Sequence, residues 1–185
     1  MNQYAVYDAM LRAVESLRLS IDVSEAMSIY SNYIRAKSVG RRSRRLLAYA
    51  SLYTLIRLRD IPLTLTRFAE IVGVNARILS ACYKDILEAL DLRHRIDLER
   101  YVDYIVEYIG RVHVKHKAIE MLEYIKRIDA INGKNPIGVA GAVVCIACDK
   151  DNPFKYMKEV SQLTGMSTVT LKKRVKELYE LLVCI

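Results

Sequence analysis

Apolar residues recur at helical spacing along nearly the whole chain, and no segment alternates strictly enough to predict a strand. The pattern predicts ten helices, near residues 3–18, 23–37, 43–58, 64–72, 76–91, 97–110, 114–130, 136–148, 154–164 and 167–182. The fold class read from it is all-α. Most of these segments have one apolar and one polar face. Two do not: Leu46–Ile56 and Ile137–Cys148 carry no charge on any side. A helix without a polar face has to be wrapped by other helices, so each is predicted to lie at the centre of its surroundings. The last segment is different again. Leu171, Val175, Leu178 and Leu182 form one stripe at spacings of four, three and four, while Val169, Lys172, Lys173 and Lys176 fall on the opposite side. A short helix, the Thr164-Gly165 turn and a second helix with a basic outer face together predict a helix-turn-helix.

The two halves repeat each other. Gly40 precedes a basic cap and the apolar run Leu46–Ile56, and Gly133 precedes a cap and the run Ile137–Ala147. Pro62 precedes a short helix ending at Gly73, and Pro153 one ending at Gly165. In each half the final helix starts at a short polar residue, Asn75 or Ser167, suited to an N-cap. The spacing predicts two five-helix units, residues 1–93 and 94–185, with the helix-turn-helix closing the second.

Charge adds direction to this picture. The net charge is +8 and the sequence pI about 9.3, which favours a polyanionic partner. From Ala26 to Arg59 there is no acidic residue, while Arg41, Arg42, Arg44 and Arg45 cluster where a helix begins. The helix dipole disfavours cations at that end, so the cluster is read either as phosphate-facing or as a solvated basic loop. No apolar run approaches the roughly 18 residues of a membrane span, and the first residues read as an amphipathic helix, not a signal peptide.

Little in the chain points to catalysis or metal. Cys145-x-x-Cys148 is a lone pair inside an apolar helix, whereas structural zinc needs four ligands. With Cys82 and Cys184, these are read as reduced thiols of an intracellular protein. His113-x-x-His116 lies beside Arg111, Lys115 and Lys117 and reads as basic surface. There is no Gly-rich phosphate loop, no HExxH and no nucleophile with a recognisable partner. No cofactor, no metal and no enzymatic activity is expected.

The second half, from Gly133-Lys-Asn-Pro-Ile-Gly-Val-Ala-Gly-Ala-Val-Val-Cys-Ile-Ala147 to Gly165-Met-Ser-Thr-Val-Thr-Leu-Lys-Lys-Arg174, resembles the second cyclin repeat of the transcription initiation factor IIB family. Its archaeal form, transcription factor B, is the nearer likeness. The first half resembles the first repeat through Leu52-Tyr53, Pro62-Leu63-Thr64-Leu65 and Cys82-Tyr83-Lys84. The resemblance implies two cyclin-like folds that clamp TATA-binding protein on promoter DNA. It also implies a helix-turn-helix that reads the element upstream of the TATA box in the major groove. The family's base-reading pair, a Val and an Arg three residues later, falls on Val169 and Lys172. With Thr170, Lys173 and Lys176 these make the expected DNA-binding face. Lys in place of Arg lacks the planar fork that grips guanine, so the sequence preference is expected to differ.

In the first repeat the outer face of the last helix, Arg77, Ser80, Ala81 and Lys84, is diluted by Asp85 and Glu88, so DNA contact is expected from Arg41, Arg42, Arg44 and Arg45, with Lys84 the candidate on that helix. The family's zinc ribbon and polymerase-entering linker have no counterpart in this sequence, which implies a regulatory role, or a piece of a longer protein. RNA polymerase or another initiation factor is a further expected partner. Two Gln residues and abundant Ile and Arg point to a thermophilic archaeon or its virus. The competing reading is a cyclin-fold scaffold that presents helical grooves to protein partners without sequence-specific DNA binding.

Overall fold

Short polar residues open many of the helices. Asp22, Thr64, Asn75, Asp97 and Asn135 each sit in extended backbone and accept hydrogen bonds from amides of the following turn, satisfying donors that a helix leaves unpaired. The computed structural model describes residues 3–37, 43–93, 97–132 and 135–182, and among these it contains ten α-helices and no strand. The chain divides into two compact units, Met1–Arg95 and Ile96–Ile185. The first holds α1 (Gln3–Leu17), α2 (Val23–Ala36), α3 (Arg44–Leu58), α4 (Leu65–Val72) and α5 (Ala76–Ala89). The second holds α6 (Leu98–Tyr108), a 3-10 turn at Val112–Val114, α7 (Lys115–Arg127), α8 (Pro136–Cys148), α9 (Met157–Thr164) and α10 (Thr168–Leu182).

Several helices close the same way, with one left-handed residue followed by an amide that bonds back five residues. Leu19 N–H reaches Val14 O at 3.1 Å, Ile61 reaches Ile56 at 3.1 Å, Val74 reaches Ala69 at 2.9 Å and Leu92 reaches Leu87 at 2.9 Å. In the second unit Arg111 reaches Val106 at 2.7 Å and Ala130 reaches Ile125 at 3.1 Å. These are Schellman closures, which normally take glycine at the left-handed position. Gly73 and Gly110 take it in two of the six and Arg18 in one, while Asp60, Asp91 and Asp129 take it in the other three at φ of 52°, 46° and 55°, a conformation that a short polar side chain tolerates. Because no glycine marks the ends of α5 and α7, periodicity carries them two or three residues too far, to 91 and 130 instead of 89 and 127. α9 begins late for another reason. After Pro153 the chain runs through tight turns, with Lys155 N–H bonded to Asn152 O at 3.2 Å and Met157 N–H to Phe154 O at 3.3 Å.

Each unit is built around its third helix, by opposite means. In the first, Leu47–Arg57 of α3 is wholly buried and packs against α1, α2 and α5. Its aromatic side chains fill the space: Tyr53 lies 5.3 Å from Phe68 and 5.1 Å from Tyr83 between ring centroids, and Tyr49 meets Phe68 edge-on at 6.4 Å. Such edge and tilted contacts suit the charge distribution of the rings. In the second, α8 is buried from Gly138 to Ala147 among α6, α7, α9 and α10. It uses small residues so that its neighbours can come close. A Cβ on Gly141 would stand 3.0 Å from Val160 Cγ1 and 3.5 Å from Leu171 Cδ1, and one on Gly138 would stand 2.7 Å from Met166 Cε. Gly141 therefore sets how closely α9 and α10 seat on α8, while Gly138 leaves room for the end of the Met166 side chain in the turn between them.

Candidate nucleic-acid interface

The turn between α9 and α10 is fixed by side chains as well as backbone. Thr164 Oγ1 donates to Val160 O at 2.7 Å, and Ser161 Oγ donates to Met166 O. Both residues are buried, so these bonds satisfy hydroxyls that would otherwise be costly. Gly165 takes φ 66°, which ends α9. Ser167 Oγ then accepts from Thr170 N–H at 3.1 Å and lies 2.7 Å from Thr170 Oγ1. Ser167 thus caps α10, as its position predicts, and Thr170 is partly committed to that cap.

α10 separates its residues into two arcs. At about 100° per residue, Val169, Lys172, Lys173 and Lys176 fall within an arc of about 100°, with Leu171, Val175, Leu178 and Leu182 opposite. The four apolar residues are buried, and the three lysines are exposed. Val169 is 78% exposed. Arg174 takes no part in the outer face: it is 16% exposed and pairs with Glu177 at 2.5 Å. Lys172 is not simply solvated. Its Nζ lies 5.6 Å from the ring centroid of Phe154, in the turn ahead of α9, and that ring is 38% exposed.

The same turn carries more positive charge around a second ring. Arg111 lies over Tyr156 at 5.2 Å, and Lys155 Nζ lies 5.6 Å from the same centroid. Phe154, Lys155, Tyr156 and Arg111 escape a helix-by-helix reading because they come from a turn and from the link after α6. The alternation Phe154-Lys155-Tyr156, with aromatics between cations, is the signal that could have found them.

In the first unit, Arg44 and Arg45 open α3 and are exposed, and Ser43 makes no side-chain cap bond. The partial positive charge of that helix end is therefore not offset by a capping oxygen. Arg45 Nε donates to Tyr49 Oη at 3.0 Å, with its guanidinium 5.4 Å from the ring centroid. Arg41 and Arg42 lie outside the described residues. Lys84 is exposed on α5, where Leu79, Cys82, Tyr83 and Ile86 are buried and Leu90 is half-buried. Asp85 does not dilute that outer face. It turns toward α2, accepting from Tyr33 Oη at 2.6 Å and from Lys37 Nζ.

Residues 96–181 match the family described as Transcription factor TFIIB repeat. The chain is 33% identical to transcription initiation factor IIB of Pyrodictium occultum over 172 residues, 91% of this chain and 56% of that protein. The chain carries a TFIIB-like core. It is also 31% identical to the factor of Sulfurisphaera tokodaii over 156 residues, 83% of the chain and 51% of that protein. To the factor of Methanothrix thermoacetophila it is 30% identical over 174 residues, 91% and 51% respectively. The chain therefore spans about half the length of the curated relatives it matches. The TFIIB repeat takes in α6 to α10 and so includes the whole helix-turn-helix. A match of 172 residues extends well into the first unit, which gives the TFIIB-like likeness both halves of the chain. The all-helical architecture agrees with the cyclin-like repeat fold of that family.

Among the described residues the cysteines of the TFIIB-like core sit in its packing, and Cys184 lies outside the described residues. Cys82 and Cys145 are buried and Cys148 is half-buried, all as free thiols. Burial pushes the Cys145 thiol up to about 12, with Cys148 and Glu159 adding to it. Burial likewise raises Cys148 to about 11, partly offset by Arg111. His116 Nε2 faces Glu120 at 3.2 Å on the surface of α7. Among the described residues no three His, Cys, Asp or Glu side chains gather as a metal site, and no helix is long and apolar enough to cross a membrane.

Proposed function

We propose that the chain binds promoter DNA as a transcription factor, together with TATA-binding protein, and that α10 lies in the major groove. One observation carries this reading: Val169 stands exposed beside Lys172, Lys173 and Lys176 on a helix whose other face is buried. An exposed Val beside these lysines suits contact with a thymine methyl group. Lys172 reads a base at the neighbouring position, and Thr170 lines the same edge. Lys173 and Lys176 contact phosphates, adding affinity without sequence information. Arg111 and Lys155, beside the start of α9, fit the backbone flank of a helix-turn-helix, whose first helix crosses the phosphates. In the first unit, Arg41, Arg42, Arg44, Arg45 and Lys84 contact DNA backbone. RNA polymerase or another initiation factor joins the assembly through the remaining surface.

The test is a mobility-shift titration with the purified chain, with and without TATA-binding protein, on a TATA promoter and on scrambled duplex. Binding should weaken steeply with salt, because condensed counterions are released from each neutralised phosphate. Lys172→Ala should relax base preference, and Lys176→Ala should weaken all sequences alike and lower the salt slope by about one. Absence of any duplex binding at moderate salt, in either condition, would overturn the reading. Adding the chain to a reconstituted transcription reaction then separates an activator, which raises output, from a competitor, which lowers it.

A second reading, a helical scaffold for protein partners, draws on α1. That helix exposes Tyr4, Tyr7 and Leu11 at spacings of three and four, a short apolar row. A pull-down that returns an initiation factor or polymerase subunit and survives nuclease treatment favours it.

A further inference from the structure

Among the outer lysines of α10, Lys172 alone has an aromatic ring under its ammonium. Phe154 holds it at 5.6 Å, and among the described residues neither Lys173 nor Lys176 has such a contact. The backbone that carries the ring is fixed. Its turn is closed by Asn152 N–H to Asp149 Oδ1 at 2.9 Å, Lys155 N–H to Asn152 O at 3.2 Å and Met157 N–H to Phe154 O at 3.3 Å, and the preceding Pro153 is buried. A lysine that reads a base has a handicap: its charge is a point on a flexible stem, with three rotating donors and no plane to impose direction. A ring face supplies direction, because the ammonium is drawn to the negative face of the π system.

We propose that Phe154 is a positioning residue for base selection, holding the Lys172 ammonium in one direction over its ring so that a lysine can discriminate where it would otherwise only attract. The inference rests on the reading of α10 as the DNA-reading helix. It explains a division of labour on one helix face. The lysine with a ring beneath it selects, and the two without one supply charge. It also gives a physical use to a large aromatic side chain left more than a third exposed at the edge of that face.

The experiment uses the whole chain, with Phe154→Leu (apolar bulk without a π face), Phe154→Trp, Lys172→Ala and the double variant Phe154→Leu/Lys172→Ala. In the free wild-type protein, NMR of the Lys172 ε-methylene should show an upfield ring-current shift, lost in Phe154→Leu and kept in Phe154→Trp. Selection among duplexes varied one base pair at a time should show Phe154→Leu relaxing preference about two- to fivefold at a single position, the size expected of an exposed cation–π contact. Its salt slope and melting curve should match wild type, since no charge or backbone bond is lost. Phe154→Trp should keep the preference, and in the Lys172→Ala background Phe154→Leu should change nothing further.

The inference is overturned if the wild-type shift is absent or if Phe154→Leu keeps its preference. It is also overturned if Phe154→Leu has the same effect without Lys172, which would make the ring itself a DNA contact. Two failures are distinguishable. If Lys172→Ala relaxes preference and Phe154→Leu does not, only the positioning role fails. If Lys172→Ala leaves preference unchanged, or wild type does not bind duplex, the reading of α10 fails and takes this inference with it.

Discussion

Replacing Gly141 with valine tests how α8 carries the helix-turn-helix. The position is buried at the crossing of α8 with α9 and α10, where a Cβ alone would meet Val160 Cγ1 at 3.0 Å, Leu171 Cδ1 at 3.5 Å and Thr164 Cγ2 at 3.8 Å. Val160 cannot swing aside easily, because its branched Cβ permits essentially one rotamer in a helix. Two further methyl groups therefore have to push α9 outward or strain both side chains, and overpacking of this kind costs about 1–3 kcal/mol. Valine recovers only a few tenths of that through better helix propensity than glycine. The net loss of about 1–2.5 kcal/mol corresponds to a fall in Tm of roughly 5–15 °C for a unit of this size. Gly141→Ala is the control: its gain of about 0.8–1 kcal/mol in propensity opposes one tight contact, so it should melt close to wild type. Far-UV circular dichroism melts read both variants, and mobility shifts should show DNA binding weakened in Gly141→Val even below its melting range. If Gly141→Val melts within about 2 °C of wild type and binds normally, the close approach at this crossing is not what seats the helix pair.

Other perturbations address the remaining sites. Val169→Ala should leave the melting curve unchanged, because the side chain is 78% exposed, while weakening a thymine-containing site about fourfold for each of its two lost methyl groups that is buried against the base, at about 0.8 kcal/mol apiece; comparison with duplex carrying uracil, which lacks the methyl, checks it. Asp85→Ala removes the acceptor for Tyr33 Oη and Lys37 Nζ and should destabilise by about 1–3 kcal/mol, read by urea titration. At pH 8 the Cys148 thiol, raised to about 11 from an ordinary 9.0, should alkylate about a hundredfold more slowly in the folded chain than in urea, as mass spectrometry will register. For the same reason the contribution of these thiols to stability should be level below about pH 9 and fall as pH rises toward 11 and 12, where the unfolded chain ionises thiols that the folded chain keeps protonated. A stability that rose across that range would contradict the burial of the two thiols.

The central helices were the most legible parts of the fold, because a run without charge such as Ile137–Cys148 leaves no surface option. The caps at Asn75 and Ser167 were equally open to reading, since short acceptors ahead of an apolar stripe have few other uses. The ends of α5 and α7, closed by Asp91 and Asp129, were not, because aspartate in the left-handed region carries no distinctive local signature. In the candidate site, α10 could be read from its own period. Its supports could not: Phe154 reaches Lys172, and Arg111 reaches Tyr156, across turns whose course depends on tertiary packing. Asp85 marks the limit in the other direction. Its sequence position looks outward, yet it faces Tyr33 of α2 and Lys37 just beyond that helix.

The division of α10 into arcs has a consequence for how such a protein can change. Stability depends on Leu171, Val175, Leu178 and Leu182, all buried, and on the glycines that admit them. Positions 169, 173 and 176 touch none of these groups through an ion pair or hydrogen bond among the described residues. Substitutions at the outer positions should therefore leave the packing of the buried stripe in place. The outer positions can drift or be redesigned as a separate alphabet without each letter having to be checked against the folding of the unit. Position 172 is the exception, tied to Phe154, and a new letter there has to be chosen together with the ring.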